Sequence, residues 1–252
     1  MKNNHRVDIV LPVYNSKKFI LETLKSIINQ EYKNWRLIIV DDNSNDGTSE
    51  LIVNFINNYF NKNKFLLKKN KKNYGQAFSR NLGLQYCNSE YVAFIDSDDF
   101  WLKNKLKKQI KFMSDHDYSF TYTDYKSIKK DKIKIIETPI FFDYKKFVKN
   151  TSIATSTIIL KRKILNNIFF PKLRICEDYY FKCKILKLSN AYKCPGVYSF
   201  YRLRHDSLQS QRLKVLIAVW NINKIFNKMN FINNFISIFF ISYNSLKKYS
   251  FR

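Results

Sequence analysis

The segment Tyr91–Phe100, YVAFIDSDDF, ends an apolar, aromatic run in three closely spaced carboxylates, Asp96, Asp98 and Asp99. Carboxylates this close repel, so solvent, basic side chains or a bound cation must offset them. An all-oxygen set of this kind suits Mg²⁺ or Mn²⁺, and such cations in turn suit a substrate's phosphates. An acidic turn after a strand has the same composition, because Asp favours turns; the neighbouring segments decide between the two. Two further acid pairs stand at element boundaries. Asp41-Asp42 follows the apolar run Trp35–Val40, and Glu177-Asp178 precedes Tyr179–Leu188, where Phe181, Ile185 and Leu188 mark an apolar helix face. Acids are ordinary and stabilising in a helix's first turn. A carboxylate within reach of a substrate hydroxyl is also a general base.

Hydrophobic period predicts the elements that position these acids. Val7–Val13 (VDIVLPV) is a short strand closed by Pro12-Val13-Tyr14-Asn15, and Lys17–Asn29 carries Phe19, Ile20, Leu24, Ile27 and Ile28 at helical spacing. Trp35–Val40 is a second strand, and Asp46-Gly47-Thr48 offers caps for a helix running to about Tyr59. Phe65–Leu67 is a weaker strand, Ala77–Tyr86 a helix whose Gly83 permits close packing on the sheet, and Tyr91–Ile95 a fourth strand. Near-continuous apolar strands alternating with helices imply an α/β fold, a mostly parallel sheet flanked by helices. Ligands of such sheets sit outside the carboxyl ends of the strands. Asn15, Asp41, Asp42, Asp96, Asp98 and Asp99 all follow such an end. Beyond them, residues 103–112 read as a basic amphipathic helix and Lys126–Lys134 as a charged hairpin between short strands.

The chain has 252 residues and a formal charge of +25, from 45 Lys and Arg against 20 Asp and Glu. That balance suits an anionic partner: nucleic acid, an acidic membrane face or a phosphorylated substrate. Lys, Asn and Ile are abundant along the whole chain, and no nucleic-acid-binding module is recognisable. Cys87, Cys176, Cys183 and Cys194 form no Cys-x-x-Cys pair, which reads as free thiols in a reducing cytoplasm. MKNNHR runs straight into a strand pattern without a signal-peptide core, and no apolar run reaches the ~18–20 residues of a transmembrane helix.

In the order IVLPVYN, LKSIINQEYKNWRLIIVDDNSNDGT, NYGQAFSRNLGL, YVAFIDSDD and CEDYYF, spread over residues 7–210, the chain resembles a family-2 glycosyltransferase with a GT-A (Rossmann-like) fold. The resemblance implies that Pro12, Tyr14 and Asn15 flank a nucleobase, with Tyr14 stacking on uracil. Asp41 or Asp42 accepts the ring N–H of the base, Asp41 being the choice, and Arg80 contacts the uracil or the diphosphate. Asp96, beside Ser97, binds the ribose or a metal-bound water, Asp98 coordinates the cation, and Asp99 supports them or opens the next helix. Asp178 is the general base of a single inverting displacement, positioned by Glu177. Tyr201–Ser210 (YRLRHDSLQS) resembles the family's Arg-x-His-x-x-Ser-x-Ser loop, with Arg202 and Arg204 both flanking the histidine. His205 there is a metal or diphosphate ligand.

The resemblance thus implies a metal-dependent (Mn²⁺ or Mg²⁺) inverting glycosyltransferase that moves a sugar from a nucleotide-sugar donor, UDP-linked, to a glycan or lipid-linked acceptor. Surface polysaccharide assembly at the cytoplasmic side of the membrane is the implied setting. A GT-A catalytic domain would span 1–212, with a nucleotide-sugar half to about residue 100 and an acceptor half after it. A helical extension would occupy 213–252. In that extension LKVLIAVWNINKIF reads as a core helix. FINNFISIFFISY, followed by Lys247, Lys248 and Arg252, reads as a helix in peripheral contact with an anionic membrane. A silent nucleotide-sugar or glycan-binding module would need neither Asp98 nor Asp178. A basic nucleic-acid-binding protein would leave the strand-end acids unexplained, since acids repel phosphates.

Overall fold

The computed structural model describes residues 5–130, 132–203 and 212–249. Strand β1 (Val7–Val13), helix α1 (Ile20–Ile28), β2 (Trp35–Asp41), α2 (Thr48–Asn57), β3 (Phe65–Lys69), α3 (Gln76–Gln85) and β4 (Tyr91–Phe94) form the first half. There follow β5 (Phe100–Trp101), α4 (Lys105–His116), β6 (Phe120–Lys129), β7 (Lys132–Ile136), β8 (Phe141–Phe142), α5 (Tyr144–Phe147), β9 (Ile159–Lys161), α6 (Glu177–Leu186), β10 (Ala191–Arg202), α7 (Arg212–Asn221) and α8 (Phe231–Tyr249). The predicted elements of the first half are all present, each within a few residues of its expected bounds.

One sheet runs in the order β3-β2-β1-β4-β9-β6-β10-β5, with β7 beside β6 and β8 beside β10. Its first four strands are parallel. The chain moves outward from β1 to β3, then returns to the other side of β1 as β4, so the strand order switches at the β1–β4 junction. A ligand crevice belongs at that junction, and Asn15 and Asp96 lie just past it. Strand β9 enters antiparallel to both β4 and β6, and β10 runs parallel to β6. The charged stretch 126–134 is the β6–β7 hairpin.

Strand alternation divides the core between the two faces of the sheet. Val7, Ile9, Leu11 and Val13 pack with α1, α2 and α4; Val10, Val92 and Phe94 pack with α3, α6 and the C-terminal helices. Asp8 is fully buried on the second face, near the amino ends of the strands. It is held by Arg36 (2.9 and 3.1 Å) and by the backbone N–H groups of Asn88 and Ser89 (2.7 and 2.8 Å). Pro12 sits inside β1 opposite Val40. A central strand normally excludes proline. Here the β4 partner has already ended, its last pair being Val10 with Phe94, so no ladder bond is lost on that side. Pro12 is therefore a buried strand residue, three positions before Asn15.

Both C-terminal helices pack on the second core, through Val219, Ile222 and Ile241. The contact is partly polar. Asn223, fully buried, accepts from the Tyr179 hydroxyl (2.7 Å) and donates toward Asn234 (3.1 Å) and Ser237 (2.9 Å); Ser237 in turn donates to the carbonyl of Val148 (2.5 Å). Helix α8 is thus docked on the domain, as the first tail segment was expected to be. It also leaves Phe235, Phe239 and Tyr243 about 60% exposed. Among the described residues no helix is long and apolar enough to cross a membrane.

Gly83 holds α3 close to β1. A Cβ there would lie 2.6 Å from a Val10 methyl. Gly83→Ala should cost about 1–3 kcal/mol of overpacking strain, read as a lower urea midpoint. An unchanged midpoint would show that helix and sheet separate freely at this contact.

Candidate active site

The acidic turn begins where β4 ends. Ile95 still donates to Val10 of β1 (3.2 Å), and Asp99 N–H closes the turn on the carbonyl of Asp96 (3.0 Å). Asp99 points inward. Its carboxylate, fully buried, accepts from the Ser156 hydroxyl (2.5 Å) and the Arg202 backbone (3.1 Å). Burial, with Asp98 and Asp96 adding their charge, raises its pKa well above the ordinary carboxylate range. Asp99 therefore anchors the turn to β10 and does not open a helix, because β5 follows it. The Arg202 guanidinium closes over the turn, donating to the carbonyl of Asp98 and to Glu22 (2.5 Å). Ser97 pairs its hydroxyl with that of Ser16 (2.5 Å) beside Tyr14.

Arg80 joins this turn to the start of α6. Its side chain is 2% exposed; one terminal nitrogen donates to Asp96 (2.6 Å) and the other to Glu177 (2.8 Å). Burial pulls the guanidinium's pKa down, but Asp96, Glu177 and Asp178 outweigh it and push the group up, so it stays charged. Both terminal nitrogens of Arg80 are thus engaged inside the protein. Burial raises Glu177 to about 7 against the pull of Arg80. Asp178 goes the other way. Burial alone would raise it, yet Lys182 (2.8 Å) and then Arg80 and the Thr155 hydroxyl (3.1 Å) bring it down to about 2. Both hydrogen bonds fall on Oδ2, and Oδ1 accepts none among the described residues.

The expected nucleobase edge is present in part. Tyr14 is 45% exposed, and Asn15 takes a left-handed φ of 45° while its side chain accepts from Asn45 N–H (3.0 Å). Asp41 and Asp42 are both buried and internally satisfied. Asp41 accepts from Ser44 (3.0 and 2.6 Å) and Ser49; Asp42 accepts from Asn70 (2.6 Å), Tyr74 N–H (2.9 Å) and Gly75 N–H (2.7 Å). Asp41 also lines a surface pocket with Ser49, Val53, Leu67 and Lys69. Asp42 instead fixes the start of α3, and with it Arg80.

Asp96 and Asp98 stand beside the buried Asp99, whose pKa is raised first by burial and then by their charge. Their hard carboxylate oxygens at a strand end fit a divalent cation. Among the described residues no three ligating side chains converge, so Asp98 and Asp96 would share such an ion with ligand or water oxygens. His205 lies outside the described residues.

Sequence reasoning missed Thr155, Ser156 and Lys182. Ser156 touches Asp99, and its neighbour Thr155 touches Asp178, so one short turn, Thr155–Thr157, links the two acid groups. The only signal for Thr155 and Ser156 was a run of small hydroxyl residues, IATSTI, with no helix or strand period.

The sequence model described as glycosyl transferase family 2 matches residues 8–202. The chain belongs to that family and is a glycosyltransferase. It is 35% identical over 224 residues to the Escherichia coli UDP-Glc:alpha-D-GlcNAc-diphosphoundecaprenol beta-1,3-glucosyltransferase WfgD, covering 87% of this chain and 86% of that one. The S. aureus TarS 1-349 structure in complex with UDP-GlcNAc superposes with a TM-score of 0.73 at 21% identity, over 98% of this chain and 73% of that chain. The Pyrobaculum calidifontis mannosyltransferase PcManGT, in complex with GDP-Man and Mn²⁺, gives 0.73 at 17% identity over 95% and 70%. Against TarS 1-349 with UDP, this chain covers 64% of that chain. The fold is therefore GT-A, as the family resemblance implied.

Glu177 gives this family member a pH signature. The folded protein holds its proton up to about 7, whereas the free side chain titrates at 4.5. The contribution of the group is whole below the lower value and is lost as pH rises through the upper one. Wild type should therefore lose stability relative to Glu177→Gln between about pH 5 and 7 and run parallel to it above. Urea midpoints across that window test this; a constant difference would refute the raised carboxyl.

Proposed function

We propose that this glycosyltransferase takes a sugar from a UDP-linked donor, with a divalent cation, and passes it with inversion to a lipid-linked or glycan acceptor. The setting proposed is surface polysaccharide assembly at the inner face of the cytoplasmic membrane. One observation carries the reading. A single buried guanidinium, Arg80, contacts both Asp96 of the acidic turn and Glu177 beside Asp178, so a group suited to the donor diphosphate and a group suited to an acceptor hydroxyl share one electrostatic unit. WfgD, named for a UDP-glucose donor and a diphosphoundecaprenol-linked acceptor, supports the donor and acceptor classes. The Mn²⁺ complex of PcManGT supports the cation.

When bound, a divalent cation neutralises charge developing on the leaving diphosphate. Asp98 and Asp96 would hold it. Tyr14, exposed at the end of β1, offers its ring to the base. Asp178, ionised at neutral pH, takes the acceptor proton on Oδ1 while Lys182 and Thr155 keep Oδ2 in place. Glu177 and Arg80 position that carboxylate and do not themselves move the proton.

Asp98→Asn should remove most of the cation-dependent part of UDP binding and leave the fold intact, as calorimetry with UDP and Mn²⁺ reads directly. Affinity that still rises with Mn²⁺ to the wild-type degree would refute the ligand assignment. Asp178→Asn should lower transfer by ~10²-fold or more with little change in donor affinity. Full activity, or a product of retained anomeric configuration, would sink Asp178 as base.

A further inference from the structure

Helix α8 is amphipathic in the inverted sense. Its inner side carries Asn234 and Ser237, each 1% exposed, and it is tied to the domain by hydrogen bonds from Asn234 to the Trp220 carbonyl (3.0 Å) and from Asn244 to the Lys149 carbonyl (3.0 Å). Its outer side carries Ile232, Phe235, Phe239, Tyr243 and Leu246, each 60–68% exposed. Their spacing of three and four residues puts them on one stripe along a 19-residue helix. Water is the wrong solvent for such a face, and an apolar stripe this long on a docked helix marks a contact surface.

The flanking charge selects the occupant. Over residues 207–252 the only charged side chains are Arg212, Lys214, Lys224, Lys228, Lys247, Lys248 and Arg252. Lys224 and Lys228 are exposed in the turn before the stripe, and Lys247 is exposed at its end. Lys134 of the β6–β7 hairpin donates to the carbonyl of Lys247 (2.9 Å), bringing a second lysine-rich element to the same end. A second copy of the chain would set these cations against cations. An anionic bilayer takes the apolar stripe into its acyl boundary and the lysines at its headgroups.

We propose that the outer face of α8, bounded by Lys224 and Lys247, is the surface by which the enzyme docks on anionic lipid. The polar inner bonds of α8 keep the helix on the domain while its outer face enters the headgroup layer. The choice of a lipid occupant rests on the lipid-linked acceptor proposed above.

Flotation of the full chain with vesicles of phosphatidylcholine, alone or with phosphatidylglycerol, tests it. Wild type should float with the anionic vesicles, less so at high salt. Phe235→Asp/Phe239→Asp should float about ten-fold less with an unchanged melting curve, since both side chains already face solvent. Lys224→Glu/Lys247→Glu should lose the preference for phosphatidylglycerol. Absence of wild-type flotation, or equal flotation of the Phe235→Asp/Phe239→Asp variant, would overturn the proposal. So would a wild-type dimer in sedimentation that this variant makes monomeric. UDP calorimetry on the same samples separates the two readings. Failure to bind UDP strikes the donor assignment alone, whereas intact UDP binding without flotation strikes only the docking surface.

Discussion

The site depends on one buried cation. Arg80 stands almost entirely out of water between Asp96 and Glu177, and a buried charge of this kind is tolerable only when paired and hydrogen-bonded. The pairing is mutual. Without Arg80 the carboxylates of Asp96, Glu177 and Asp178 would repel one another in a dry environment. The guanidinium is set in place from behind by Asp42, which caps the turn before α3, and by Gly83, which lets α3 lie against β1. The candidate site is thus held by sheet, helix and ion pairs together.

The two halves of the sheet play different parts. The parallel half, β3-β2-β1-β4, presents its strand ends and their acids to one crevice, while Asp8 and Arg36 bind the amino ends of the same strands with four hydrogen bonds to that one carboxylate. The other half brings the groups that hold those acids. Short β9 and the Thr155–Thr157 turn before it bring Ser156 to Asp99 and Thr155 to Asp178. The end of β10 brings Arg202 across the acidic turn. The acidic turn comes from the parallel half, and the Glu177-Asp178 pair on α6 and the contacts that hold both acid groups come from the other.

The C-terminal helices show that a segment can be both core and surface. Asn234 within FINNFISIFFISY is an inward-facing contact of α8, while Phe235 and Phe239 are outside. Helical period is blind to this inversion, because it reports that two faces differ but not which one meets the domain.

Much of the fold was legible in the residues alone. Apolar runs, caps and turn residues are local signals, so the strands and helices of the first half were found to within a few residues, and acids at two strand ends marked the site's edge. Chemical type marked the acid clusters, and the family resemblance singled out Asp98 and Asp178 within them. The partners were not legible. Arg80 and Glu177 are 97 residues apart, and Ser156 and Asp99 are 57 apart; nothing local links them. Asp42 and Pro12 carry the residue types expected at an open edge, yet both side chains are buried. Local sequence determined which groups could carry charge and where the chain turned. Tertiary structure alone decided which charges meet and which face of α8 is left to water, because desolvation and ion pairing act through space between residues far apart in the chain.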